Sequence, residues 1–66
     1  MVEEGSFNLN LDGRTVSFSL HENSEGWPFA VDQDGTVHDR GATHEEVVEI
    51  AFGRGAVLDM RKQQQR

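Results

Sequence analysis

The sequence predicts an α+β domain: one antiparallel sheet of three to five strands with one short helix packed on its apolar face, in the order β-β-β-α-β. Three observations lead there. Two runs of strictly alternating apolar residues flank an Asp-Gly pair. A capped amphipathic stretch follows in the second half of the chain. The length, 66 residues without cysteine, limits the molecule to a single domain, 1–66, with no disulfide or thiolate metal staple. A chain this short buries only about 60% of its unfolded surface, so its core is marginal.

The elements follow in order. Phe7, Leu9 and Leu11 alternate with Ser6, Asn8 and Asn10, the period of a half-buried strand. Asp12-Gly13 is a strong two-residue hairpin signal. Val16, Phe18 and Leu20 then alternate with Thr15, Ser17, Ser19 and His21. After the polar turn Glu22 to Gly26, Trp27, Phe29 and Val31 are spaced to put three apolar side chains on one face of a third strand, which Pro28 opens. Asp34-Gly35 turns the chain, and Thr36-Val37-His38 forms at most a short fourth strand. Thr43-His44-Glu45-Glu46 has capping-box spacing, so a helix starts at Thr43 with Val47, Ile50 and Ala51 on one face and Val48 and Phe52 flanking. Gly53 and Gly55 stop it. Ala56 to Arg61 is read as a final strand, since two glycines within three residues are poor inside a helix. Leu58 thereby joins an expected core of Phe7, Leu9, Leu11, Val16, Phe18, Leu20, Trp27, Phe29, Val31, Val47, Ile50, Ala51 and Phe52. Residues 62–66 read as a frayed tail.

Charge is unevenly placed. Residues 1–50 hold eleven acids against Arg14 and Arg40, a net −9; residues 51–66 hold four basic residues against Asp59, a net +3; together they give −6. An acidic body disfavours nucleic acid, whose phosphates reward Lys and Arg, and it favours encounter with a basic protein surface. No apolar run approaches the roughly 18 residues of a membrane span. The acidic start Met1 to Gly5 lacks the form of a signal peptide, so the expected location is the cytoplasm.

The chain carries little that points to chemistry. Each histidine precedes an acid (His21-Glu22, His38-Asp39, His44-Glu45), but sequence neighbours on a strand or helix point apart. A metal protein built on His38, Asp39 and His44 is the rival reading, without recognised ligand spacing. Asp32-x-Asp34-Gly35 resembles part of a calcium loop, yet its register puts Ala30 at position one and Gly41 at twelve, so it is read as a turn. No nucleophile motif surrounds any serine. The reading is a non-enzyme without a cofactor. The acidic residues assigned to loops, Glu22, Glu25, Asp32, Asp34 and Asp39, are the candidate partner contacts. The polar sheet face, with Asn8, Asn10, Ser17 and Ser19, is small and uncharged, which suits a second interface with a partner or a second copy of the chain.

From Phe18 to Ala51 the chain resembles the N-terminal domain of HicB-like antitoxins. The likeness rests on Phe18-Ser19-Leu20, the acidic turn Glu22 to Glu25, Gly26-Trp27, Phe29 to Val31, Gly41-Ala42-Thr43-His44-Glu45-Glu46, and Glu49 with Ala51. It covers about half the chain. Asp32 to Val37 replaces the family's Pro- and Cys-containing segment, the helix stops early at Gly53, and the strand Phe7 to Leu11 is additional. The resemblance implies toxin masking: an acidic domain covering a basic ribonuclease. A looser likeness, to small acidic phage proteins that inhibit host RNA polymerase, implies the same physics against another nucleic-acid enzyme. The expected function is therefore a non-catalytic module that inhibits or masks a protein with a basic surface; a homodimeric structural protein is the third reading.

Overall fold

The computed structural model describes residues 2–64, and side chains from Gly5 to Gln64. Gln65 and Arg66, part of the expected tail, lie outside the described residues. The elements are β1 (Val2–Leu11), β2 (Arg14–Glu22), β3 (Pro28–Asp32), β4 (Val37–His38), α1 (His44–Phe52) and α2 (Arg54–Gln64). The strands form an antiparallel meander in the order β1-β2-β3-β4. Both helices cover one face: α1 lies on β3 and β4, α2 on β1, and the helices pack on each other. The fold is α+β, as its sequence predicts, with two helices and no strand after the first helix among the described residues.

The β1–β2 hairpin turns at Asp12 and Gly13, both at positive φ (51° and 82°), as a tight two-residue turn matched to strand twist requires. Its pairing sets Leu9 opposite Val16 and Phe7 opposite Phe18, so the alternating apolar set faces the helices. Leu9, Val16, Phe18 and Leu20 are buried together with Ala30, Val47, Val48, Ala56, Val57 and Met60. Phe7, Leu11 and Phe52 pack at the margin. Phe18 links Phe7 (ring centroids 5.6 Å apart) to Phe52 (5.0 Å) across the sheet–helix boundary.

Three sequence expectations are corrected. The segment Ala56 to Arg61 is helical, not a strand. Gly53 alone breaks the chain, while Gly55 falls in the first turn of α2, where propensity matters least. Ala56, Val57 and Met60 are buried at helical spacing, and Leu58, expected in the core, is 48% exposed. The second correction is the parity of β3. Pro28 and Ala30 face the helices and are buried; Phe29 and Val31 fall on the open face, and Trp27 is 56% exposed. A one-residue change of parity exchanges the faces of a whole strand. The fully buried Ala30 sits where α1 crosses β3, and its small side chain allows close approach. Ile50 on α1 is likewise exposed rather than core.

Candidate protein-binding surface

The turn from Asp32 to Thr36 is organised by one carboxylate. Asp32 Oδ1 accepts from the backbone N–H groups of Asp34 (2.9 Å) and Thr36 (3.0 Å), and Oδ2 lies 2.9 Å from His38 Nε2. The His38 hydrogen bond, with smaller help from these two amides, holds the Asp32 carboxyl below its ordinary value. His38 in turn meets the edge of Phe52, ring centroids 5.1 Å apart. Asp32 is thus half-buried and bonded within its own turn and to β4. Gln33 extends β3 beyond its last paired residue: its Oε1 accepts from Ser17 N–H and its Nε2 donates to the Thr15 carbonyl.

The other histidines also have internal tasks. His44, at the start of α1, places Nε2 2.9 Å from the His21 carbonyl and ties the helix to the end of β2. His21 stacks on Phe29 (5.1 Å) and bonds Ser19 Oγ (2.7 Å). His38, Asp39 and His44 do not converge; among the described residues no three His, Asp or Glu side chains are placed to hold a metal ion. The Thr43 cap has the expected form, accepting from Glu46 N–H at 3.2 Å. Glu45 makes a bidentate pair with Arg61 (2.7 Å for both bonds), clamping the start of α1 to the end of α2. Each holds the other's charge: the Glu45 pKa is lowered and that of Arg61 raised.

The open sheet face divides into two halves. On β1 and β2 it carries Ser6, Asn8, Asn10, Thr15, Ser17 and Ser19. Ser17 Oγ donates to Asn8 Oδ1 at 2.6 Å, so part of this polar half is satisfied internally. On β3 and β4 it is apolar: Phe29, Val31 and Val37, with Val31 opposite Val37. Trp27 precedes Phe29 on the same side. Trp27, Val37 and Ile50 are each more than half exposed and run around the two-residue edge strand β4. Asp39, just after β4, lies beside this apolar strip; of the other acids, Glu22 ends β2 opposite Pro28, and Glu25 and Asp34 stand in exposed turns. Asp39 and Val37 line two adjoining clefts, one with Trp27 and Phe29, one with Ile50 and Ala51.

Sequence reasoning placed the acids but missed the strip. The available signal was the doubled apolar pattern Trp27-Pro28-Phe29-Ala30-Val31, in which either parity offers an apolar face. No protein-family profile, curated protein or solved structure matches the chain. No described helix is long and apolar enough to cross a membrane.

Proposed function

We propose that this chain is a non-catalytic, acidic protein-binding module that masks or inhibits a protein with a basic surface, in the manner of a cytoplasmic antitoxin. The observation that carries the reading is the exposed strip Trp27–Val37–Ile50 at the β4 edge, with Asp39 beside it. Monomeric domains rarely leave several large apolar side chains together in water unless that patch is used. An apolar centre with a charged rim is the usual anatomy of a protein interface, and tryptophan is prominent among the residues that carry binding energy. The chain's net charge of −6 selects a basic partner, chiefly through encounter rate. A basic ribonuclease and a basic groove of RNA polymerase both fit this chemistry. The test is binding to the partner at rising ionic strength: affinity falls steeply for the native chain and less steeply when Glu22, Glu25, Asp34 and Asp39 are made amides.

A homodimer is the second reading, favoured by one observation. β1 is a ten-residue edge strand, and Asn8 sits in a non-bonded pair with Ser17, whose own N–H turns to Gln33. The Asn8 backbone therefore faces away from β2, open to a further strand apart from the Gln63 amide that donates to its carbonyl. In that case sedimentation reports a dimer, and Asn8→Pro, which removes the outward N–H together with the acceptor of the Ser17 hydroxyl, returns a monomer, whereas Asn8→Ala, which removes only that acceptor, stays dimeric.

A further inference from the structure

We propose that the cleft formed by Asn23, Trp27, Pro28, Phe29, Val37 and Asp39 receives an arginine side chain of the basic partner; the inference rests on the binding reading above and names the group recognised. The cleft has a volume of about 360 Å³, enough for a guanidinium and its stem. Two aromatic residues, Trp27 and Phe29, and two aliphatic ones, Pro28 and Val37, line it with Asp39 as its acid, and among the described residues no Lys or Arg does. The neighbouring cleft toward Ile50 differs in containing Arg40, which would repel a cation.

The tryptophan is held in place although it is exposed. Asn23 Oδ1 accepts from the N–H groups of Glu25 (2.8 Å) and Trp27 (3.0 Å), and Asn23 N–H donates to the Trp27 carbonyl (2.9 Å). The Trp27 backbone is therefore fixed at both its N–H and its carbonyl, while the residue is 56% exposed. Phe29 is braced from beside by the His21 ring. A loop whose backbone is already fixed loses less conformational entropy when a ligand arrives.

The chemistry of the walls selects the occupant. A phosphate or carboxylate is opposed by Asp39 and by the net charge. A wholly apolar side chain would leave Asp39 desolvated without a partner. A cation over an aromatic face with a carboxylate alongside is favourable on both counts. Arginine suits it better than lysine, because the guanidinium is planar, stacks on rings, and sheds water more readily.

The sequence supplies the assay. Trp27 is the only tryptophan and there is no tyrosine, so intrinsic emission reports this cleft. The full chain is titrated at low salt with acetylated, amidated hexa-arginine, and separately with hexa-lysine, following total binding by calorimetry and the cleft by Trp27 emission. Hexa-arginine is expected to bind more tightly and to change the emission saturably. Asp39→Asn weakens it about five- to tenfold, as loss of a partly exposed ionic hydrogen bond implies. Asp12→Asn, at the distant β1–β2 turn, removes the same charge and changes affinity by less than about twofold. Calorimetric binding with unchanged Trp27 emission, and equal affinities for the two variants, overturns the cleft and leaves the basic-partner reading standing. Calorimetric silence with both peptides overturns the two together.

Discussion

Gly41 lies where the chain folds back onto the first turn of α1, at φ +133°. A Cβ added there would stand 2.8 Å from the Val47 backbone nitrogen, 2.9 Å from Glu46 Cβ and 3.0 Å from the Glu46 carbonyl carbon. Two of these three atoms are backbone, so relief requires moving the helix rather than turning a side chain. Val47 and Val48, both fully buried, would move with it. The unfavourable φ alone costs about 1–3 kcal/mol. With displacement of packed residues, Gly41→Ala should cost about 2–4 kcal/mol in total. A 66-residue domain has about 3–10 kcal/mol of stability, so this is a large share of it. The expected fall in Tm is about 10–25 °C, measured by circular dichroism at 222 nm. Gly53→Ala is the control: its φ is also positive, at +99°, but its Cβ would meet nothing within 4 Å. It should lose only the backbone part. Equal losses at the two positions, or a Gly41→Ala Tm within about 3 °C of the parent, would refute the close-approach argument.

Other predictions follow from the same contacts. Met60→Ala should cost about 2–5 kcal/mol and leave the chain largely unfolded at moderate urea, whereas Leu58→Ala should cost under about 1 kcal/mol; the reverse order would indicate a strand at 56–61. Trp27→Ala should leave Tm nearly unchanged while abolishing partner binding, because its side chain lies mostly in solvent. Asp32 and Glu45 have lowered pKa values in the folded chain relative to 3.8 and 4.5, so the unfolded chain takes up protons first as pH falls. Their stabilisation is present above about pH 4.5 and is lost as pH drops through the folded-state values. Urea melts at pH 7, 4 and 3 should show this loss, and Asp32→Asn should flatten part of it; an unchanged slope contradicts the Asp32–His38 pairing. Gln33→Ala should speed hydrogen exchange at the Ser17 amide without altering exchange at the centre of the β1–β2 hairpin.

The hairpin and the first helix were legible because each rests on local chemistry. Asp12-Gly13 and the two period-two runs admit one reading, and Thr43 with Glu46 marks a helix start wherever the helix packs. The parity of β3 was not legible, because large apolar residues occupy Trp27, Phe29 and Val31 while Pro28 and Ala30 look like the weaker face. Tertiary packing decided it: α1 covers β3 and needs the small residue inward. Ala56 to Met60 is five residues long, too short for period two and period 3.6 to separate. Glycine spacing then favoured a strand, although Gly55 costs little in a first turn. Among the acids, Glu22, Glu25, Asp34 and Asp39 remain available at the surface, but composition does not reveal that Asp32 caps its own turn. Nor does it reveal that Arg61, seen only as part of a basic tail, is held by Glu45.

The central claim is that the strip at the β4 edge and its carboxylates bind a basic protein. The most direct test is affinity capture from lysate by three immobilised chains, native, Trp27→Ala and Leu58→Ala, at about 0.05 M and about 0.5 M salt, with mass spectrometry of what is retained. Leu58 is an exposed apolar residue on α2, so its variant controls for general stickiness. The account predicts one basic protein held by the native chain and by Leu58→Ala at low salt, released at high salt, and absent with Trp27→Ala. Retention of the same proteins by all three chains, indifferent to salt, would contradict it.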